Sequence, residues 1–322
     1  MLPVYAELHC RSNFSFQVGA SHPEELVRTA YTLGYRAMAI TDECSLAGSV
    51  RAHLEWQELC RSKTNKPFSP DFRLITGACF SIDSHVLILL AQTRHGYGTL
   101  TALITKARQR ETKGKYQLEI DDLEHVQECF AIVIPAIPPA ETDSSLRTAQ
   151  HLLNALAHLP RALGYSRLLN ATDALRFQQV RSLSQQHNLP ITACGDILIH
   201  DKSRQPLQDI LTAVRNKTTV DELGALAEQN AERVLRPVNA LAHLYPGELL
   251  IESAEIAATC RFTLDELRYE YPEEVIPEGY TSTKYLREQT YLGAERRYGK
   301  RIPEKVRKLI EKELKLIEDE KK

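Results

Sequence analysis

Short apolar runs alternate with stretches of helical spacing along the first two-thirds of the chain. Seven runs read as buried strands: Tyr5–His9, Arg36–Thr41, Phe72–Gly77, His85–Ala91, Phe130–Pro135, Tyr165–Leu169 and Pro190–Cys194. Their nearly continuous apolarity predicts strands covered on both faces, hence a parallel sheet with helical crossovers. The first crossover helix opens at Ser21-His22-Pro23-Glu24, where a capping box coincides with a first-turn proline. It presents Leu26, Val27, Ala30 and Leu33 to a core and stops at Gly34. Ser45–Cys60, Gly98–Arg110, Ser144–Leu159 and Thr172–Asn188 supply the other helices, and Ser62–Pro70 and Pro135–Pro139 read as loops. The predicted fold class is α/β, a seven-stranded barrel.

After Ser203 the pattern changes to consecutive helices, Leu207–Asn216, Val220–Leu235 and Glu248–Cys260. A barrel with a helical extension is therefore expected over 1–265. Arg268–Ile276 looks extended and broken by proline, which places a linker near 265–280 within a second region, 266–322. Helices resume at Thr281. The last one sets Val306, Ile310, Leu314 and Ile317 on one face with no visible partner, the look of a cut chain.

Composition narrows the classes. With 43% hydrophobic and 25% charged residues among 322, the chain can bury a sizeable core and is not a disordered one. Forty Lys and Arg against forty-two Asp and Glu leave a net charge of -2, so any nucleic-acid contact must be local. Even the basic excess of 300–322, nine cations to six carboxylates, reads as a solvated helix face. The longest apolar run, Val86–Ala91, is far too short for a membrane span, and the start shows no secretory signal, so the cytoplasm is expected. Seven scattered cysteines with no Cys-x-x-Cys read as small core residues.

In a parallel barrel, reactive side chains gather at the carboxyl ends of the strands, where loops vary while the barrel stays rigid. That rule nominates His9, Asp42, Glu43, Cys79, Asp196 and His200. A rim of His and carboxylates suits zinc or manganese.

Two segments, Tyr5-Ala6-Glu7-Leu8-His9-Cys10-Arg11-Ser12-Asn13-Phe14-Ser15-Phe16 and Ala39-Ile40-Thr41-Asp42-Glu43-Cys44-Ser45-Leu46-Ala47-Gly48, closely resemble the amino-terminal polymerase and histidinol phosphatase (PHP) domain of bacterial C-family DNA polymerases. Gly195-Asp196, His200 and Ser203–Ala213 are similar to the error-prone, damage-inducible branch of that family, and Gly279-Tyr280 with Tyr285–Gly299 resembles the entry into its polymerase region. The resemblance spans nearly the whole chain. It implies a distorted (β/α)7 barrel whose active members bind up to three metals through about nine His, Asp, Glu and Cys ligands to hydrolyse phosphoesters, followed by the first helices of the polymerase palm and thumb region.

This sequence departs from the family's ligand pattern. The first motif, His-x-His, is here His9-Cys10-Arg11; the Asp of the next loop is Val18; the His after the Thr-Asp of strand two is Glu43; the Glu after strand three is Cys79; and the Asp-x-His after strand seven is Asp196-Ile197-Leu198. Of these seven positions only His9 and Asp196 match. Two ligands are too few for a two-metal site, which needs bridging carboxylates and ions about 3.5–4 Å apart. Arg11 is expected to stand in for the metal among Asp42, Glu43 and Asp196, relieving carboxylate repulsion through bidentate pairing.

The resemblance thus implies a degenerate barrel acting as a structural scaffold for an error-prone translesion polymerase, inactive by itself. The intact enzyme would use magnesium, deoxynucleoside triphosphates and primer-template DNA, with the sliding clamp and mutagenesis accessory proteins as partners. Two alternatives stay open: a residual metal-dependent phosphoesterase or 3′–5′ exonuclease keeping zinc or manganese at His9 and Asp196, and a protein-docking module.

Overall fold

The computed structural model describes residues 4–61, 72–136, 143–267, 276–299 and 301–320. Seven strands form one sheet in chain order: β1 Ala6–Cys10, β2 Ala37–Glu43, β3 Arg73–Ile82, β4 His85–Ala91, β5 Cys129–Ile134, β6 Arg161–Tyr165 and β7 Ile191–Ala193. Five crossover helices lie between them: α1 Pro23–Thr32, α2 Ser49–Arg61, α3 Arg94–Gln109, α4 Asp143–Ala155 and α5 Asp173–His187. The last ends on Asn188 in the left-handed conformation, as its C-cap sequence predicts.

The sheet curls into a nearly closed barrel. No ladder joins β7 to β1; instead the chain after β7 crosses the seam. Ile197 bridges Cys10, its N–H donates to the His9 carbonyl at 2.9 Å, and the Arg11 N–H donates to its carbonyl at 2.9 Å. Two apolar layers result, one between the strands and the surrounding helices and one inside the barrel. Leu8, Ala39, Ile75, Ile88, Leu90 and Ile132 fill the interior. After α6 (Gln205–Asn216) and α7 (Val238–Leu244), α8 (Gly247–Thr259) packs on both β7 and β1. Its Ile256 and Ala257 plug the end where the parallel strands begin: the Arg73 guanidinium donates to the Ala257 carbonyl, and the Ala6 N–H donates to Ser253 Oγ. Full burial of each leucine or isoleucine among them contributes on the order of 1.5–3 kcal/mol.

Four sequence expectations need correction. The sheet is not all parallel, for β4 runs antiparallel to both β3 and β5. Its cause is a two-residue hairpin: Asp83 and Ser84 have φ of 47° and 69°, the geometry of a turn that reverses the chain at once and leaves no length for a crossover helix. The sixth strand lies at Arg161–Tyr165, before the predicted run. Gly164 marks close packing within it, because a Cβ there would fall 2.6 Å from Ile134 Cγ1. No helix spans 220–235; after Lys217 ends α6 in the left-handed conformation come two single turns, Val220–Glu222 and Gly224–Leu226, and then chain that pairs with the segment after β7. Tertiary pairing overrides helical propensity there. Finally, α1 is capped at His22, whose N–H donates to Glu25, leaving Ser21 to accept from the His200 N–H. The stretches Ser62–Pro70 and Ile137–Pro139, and most of Arg268–Ile276, lie outside the described residues.

The chain divides into two compact units, Met1–Leu267 and Arg268–Lys322. In the second, α9 (Ser282–Tyr298) and α10 (Glu304–Glu320) pack on one another, with Arg287 forked onto Glu311 at 2.7 and 2.9 Å. The apolar face of the last helix therefore has a partner: Leu314 is buried, while Ile317 stays exposed. Among the described residues no helix is long and apolar enough to cross a membrane. Six of the seven cysteines are buried and Cys60 is exposed.

Candidate functional site

The carboxyl ends of β1 and β2 and the loop after β7 meet at the barrel mouth. Register between β1 and β2 slips between Glu7 and Cys10, a bulge that re-aims the side chains around His9. Glu7 lies below that bulge, fully buried. Its Oε1 accepts the His9 and Gly195 N–H groups at 3.0 and 2.9 Å, and its Oε2 accepts the Tyr5 hydroxyl at 2.6 Å. One carboxyl group thus staples the end of β1 to the turn that carries Asp196. Gly195 makes this possible, since a Cβ there would come within 2.2 Å of Glu7 Oε2. Burial raises the Glu7 carboxyl to about 7, against the pull of its hydrogen bonds.

Asp196, with φ of 51°, sits in the left-handed region that Asp tolerates better than most residues. Its side chain is the centre of the site. Arg11 Nη2 donates to Oδ1 at 2.6 Å, Arg233 Nη2 to Oδ2, and His9 Nε2 lies 3.3 Å from Oδ1 without a well-aligned hydrogen bond. Burial alone would raise this carboxyl; Arg233, then Arg11 and His9, hold it well below the usual carboxylate range. His9 is itself fully buried, with Nδ1 2.9 Å from the Thr41 hydroxyl. Burial lowers its pKa despite the pull of Asp196, so the neutral ring is favoured.

The other nominated residues go elsewhere. Asp42 is held by Ser12 and Ser15, accepting the Ser12 N–H at 2.7 Å and the Ser15 hydroxyl at 2.7 Å; burial still raises its pKa. Glu43 accepts the Tyr116 hydroxyl at 3.1 Å. Arg11 therefore pairs singly with Asp196, not in the two-pronged fashion expected across Asp42, Glu43 and Asp196. Cys79 lies inside β3, which runs on to Ile82, and faces Glu43 across the ladder as a buried thiol whose pKa burial raises. Val18 and Leu198 fall into one apolar cluster with Ala20, Ile199 and Val234. His200 turns to the start of α1, where Nδ1 lies 2.8 Å from Ser21 Oγ.

Sequence reasoning missed Arg233, Glu7 and the two serines. Glu7 carried a signal, a carboxylate in the middle of an apolar strand, and Ser12 and Ser15 lie in the quoted motif. Arg233 carried none, because its partner is distant in sequence.

Among the described residues, no three His, Cys, Asp or Glu are grouped so as to hold a metal ion. The donor set is also chemically wrong for one: both oxygens of Asp196 are engaged by guanidinium groups, and a further cation would meet their charge. The residues present do not fit a metal cluster.

"Error-prone DNA polymerase" of Dechloromonas aromatica is 45% identical over 324 residues, and that of Methylococcus capsulatus 45% over 320, each alignment taking in 98% of this chain. The chain spans about 30% of the length of the curated relatives it matches. A solved amidohydrolase from Chromobacterium violaceum aligns with 61% of this chain and 88% of its own at 14% identity and a TM-score of 0.42. The PHP domain description matches residues 7–174, more than half the chain, beginning at Glu7 and running through β1 to β6; the chain belongs to the PHP domain family.

Proposed function

We propose that this chain is the PHP-barrel portion of an error-prone DNA polymerase, and that the barrel serves the polymerase as a scaffold and performs no hydrolysis. The observation that carries the reading is the engagement of both Asp196 oxygens by Arg11 and Arg233. Arg11 stands where the family motif has a metal-binding His, and its fixed charge does for Asp196 what an ion would do, without supplying an activated water. Val18 and Leu198, at two more ligand positions, support it by packing together. Ligands have been exchanged for mutually consistent contacts.

On this reading residues 266–322 open the polymerase region. Synthesis past damaged template, with magnesium, deoxynucleoside triphosphates, primer-template DNA, the sliding clamp and mutagenesis accessory proteins, belongs to a whole cytoplasmic polymerase. The decisive test is metal analysis of purified protein together with manganese-dependent hydrolysis of a model phosphodiester, wild type against Asp196→Ala. Equal background rates and no stoichiometric metal are expected; bound zinc or manganese, or cleavage that disappears with Asp196, overturns the reading.

One observation favours a second reading, a residual phosphoesterase or 3′–5′ exonuclease: His9 Nε2 is buried without a well-formed partner. Such a nitrogen is what a single retained ion would use. The same measurements decide between the two.

A further inference from the structure

Arg233 does more than pair with Asp196. Its own carbonyl accepts the N–H groups of Leu198 and Ile199 at 2.9 and 3.2 Å, the next residue, Val234, bridges Ile199 and joins the apolar cluster of Val18 and Leu198, and its second guanidinium arm reaches Glu228 at 2.6 Å. Nearby, Asn230 Nδ2 donates to the Leu168 carbonyl at 2.8 Å and Arg236 Nη1 to that of Arg167 at 3.0 Å. The segment 228–236 is thus tied to the loops after both β6 and β7.

We infer that Arg233 is the second half of what replaces the metal, and that through it 228–236 forms a strap fastened across the barrel mouth. The inference rests on the proposed ion-free scaffold and extends it to a named residue and a mechanical role. Its physical basis is charge and valence. A carboxylate only 13% exposed has two oxygens to satisfy, and Arg11 satisfies one. Adding Arg233 satisfies the other and leaves one surplus positive charge, which Glu228 offsets. Two guanidinium groups and two carboxylates sum to zero with no ion present. Both Asp196 and Arg233 lie beyond the span 7–174 that the PHP domain description matches. The chain of ion pairs around Asp196 is therefore completed by residues outside that span, and the same ion pair holds the chain in place.

Amide hydrogen exchange on the chain tests this at Leu198 and Ile199. Arg233→Gln and Asp196→Asn should each speed exchange of both amides by about tenfold, and the double variant should fall well short of the product of the two effects, since both remove the Arg233–Asp196 pair. Lys308→Gln, which removes an exposed ion pair with Glu304, should leave them unchanged. Should Arg233→Gln not fold, Glu228→Gln removes only the outer partner and is expected to speed exchange within 228–236. Unchanged exchange at Leu198 and Ile199 in Arg233→Gln, or additive effects in the double variant, overturns the strap. Acceleration of the same amides in wild type on adding EDTA instead overturns the ion-free scaffold beneath it.

Discussion

Val18 and Leu198, far apart in sequence, pack into one buried apolar cluster with Val234. On the proposed reading, a ligand pair has become a packing pair. Once apolar, each position penalises the return of the other's polar group, because a carboxylate or imidazole there would lose water without gaining a partner.

Val18→Asp should therefore destabilise the protein by about 2–4 kcal/mol at neutral pH, measured by urea unfolding. The new carboxyl would be buried with a raised pKa, so the loss should shrink in mild acid, where it is protonated. Manganese should not restore stability. A loss below about 0.5 kcal/mol, or rescue by the metal, would show that the site still accommodates a ligand.

Asp196→Ala leaves two guanidinium groups facing one another without their shared carboxylate. Breaking a buried ion pair from one side typically costs about 3–5 kcal/mol; with Asp196 13% exposed, the lower part of that range is expected. The pH dependence has a definite sign. The Asp196 carboxyl is depressed in the folded protein, so its contribution is present above the ordinary carboxylate pKa and is lost as pH falls through the folded value. Acid unfolding curves of wild type and Asp196→Ala should converge as pH drops; parallel curves would disprove the assignment.

The barrel was legible because apolar runs and helix caps are local signals: six of the seven predicted strands largely coincide with observed ones, the other shares only Tyr165 with β6, and Asn188 closes α5 as its sequence requires. What local reading failed on is equally specific. Asp83-Ser84 gives no strong turn signature, so the antiparallel direction of β4 went unread although its bounds were found. At the mouth, position-by-position comparison found His9, Arg11, Val18, Asp196 and Leu198. It could not find Arg233, since nothing in the neighbourhood of residue 233 reports that Asp196 will lie beside it.

Glu7 yields a pH dependence of opposite sign. Its carboxyl rises from 4.5 to about 7 on folding, so stability from this group is complete below the unfolded pKa and is lost as pH climbs through the folded one. Burial outweighs the geometry, since Glu7 accepts all three hydrogen bonds, two N–H groups on Oε1 and the Tyr5 hydroxyl on Oε2. A glutamine keeps an uncharged oxygen for the two N–H donors, and its amide nitrogen donates to the Tyr5 hydroxyl once that group turns from donor to acceptor. Glu7→Gln should stabilise by roughly 1–3 kcal/mol at pH 8 and by little at pH 4.5. Gly195→Ala, in contrast, forces a Cβ against Glu7 Oε2 and Ile197 Cδ1 and should destabilise at either pH. Chemical denaturation at the two values separates them, and a Glu7→Gln effect independent of pH would refute the assignment.

The β3–β4 hairpin offers a stabilising test away from the site. Asp83 and Ser84 both hold positive φ, which costs a side chain with Cβ and suits Asn-Gly best at a two-residue turn. Neither their side chains nor the turn takes part in the contacts that build the mouth. Replacing the pair by Asn-Gly removes strain from the folded state, while the added glycine freedom in the unfolded chain opposes part of the gain. The balance should be a stabilisation of about 0.5–1 kcal/mol, read as a higher urea midpoint with an unchanged slope. Because the antiparallel pairing of β4 depends on this turn, Asp83→Pro with Ser84→Val, a pair that cannot adopt positive φ, should lower the midpoint instead. An unaltered midpoint in both variants would mean that the ladder to β5 orients β4 without help from the turn.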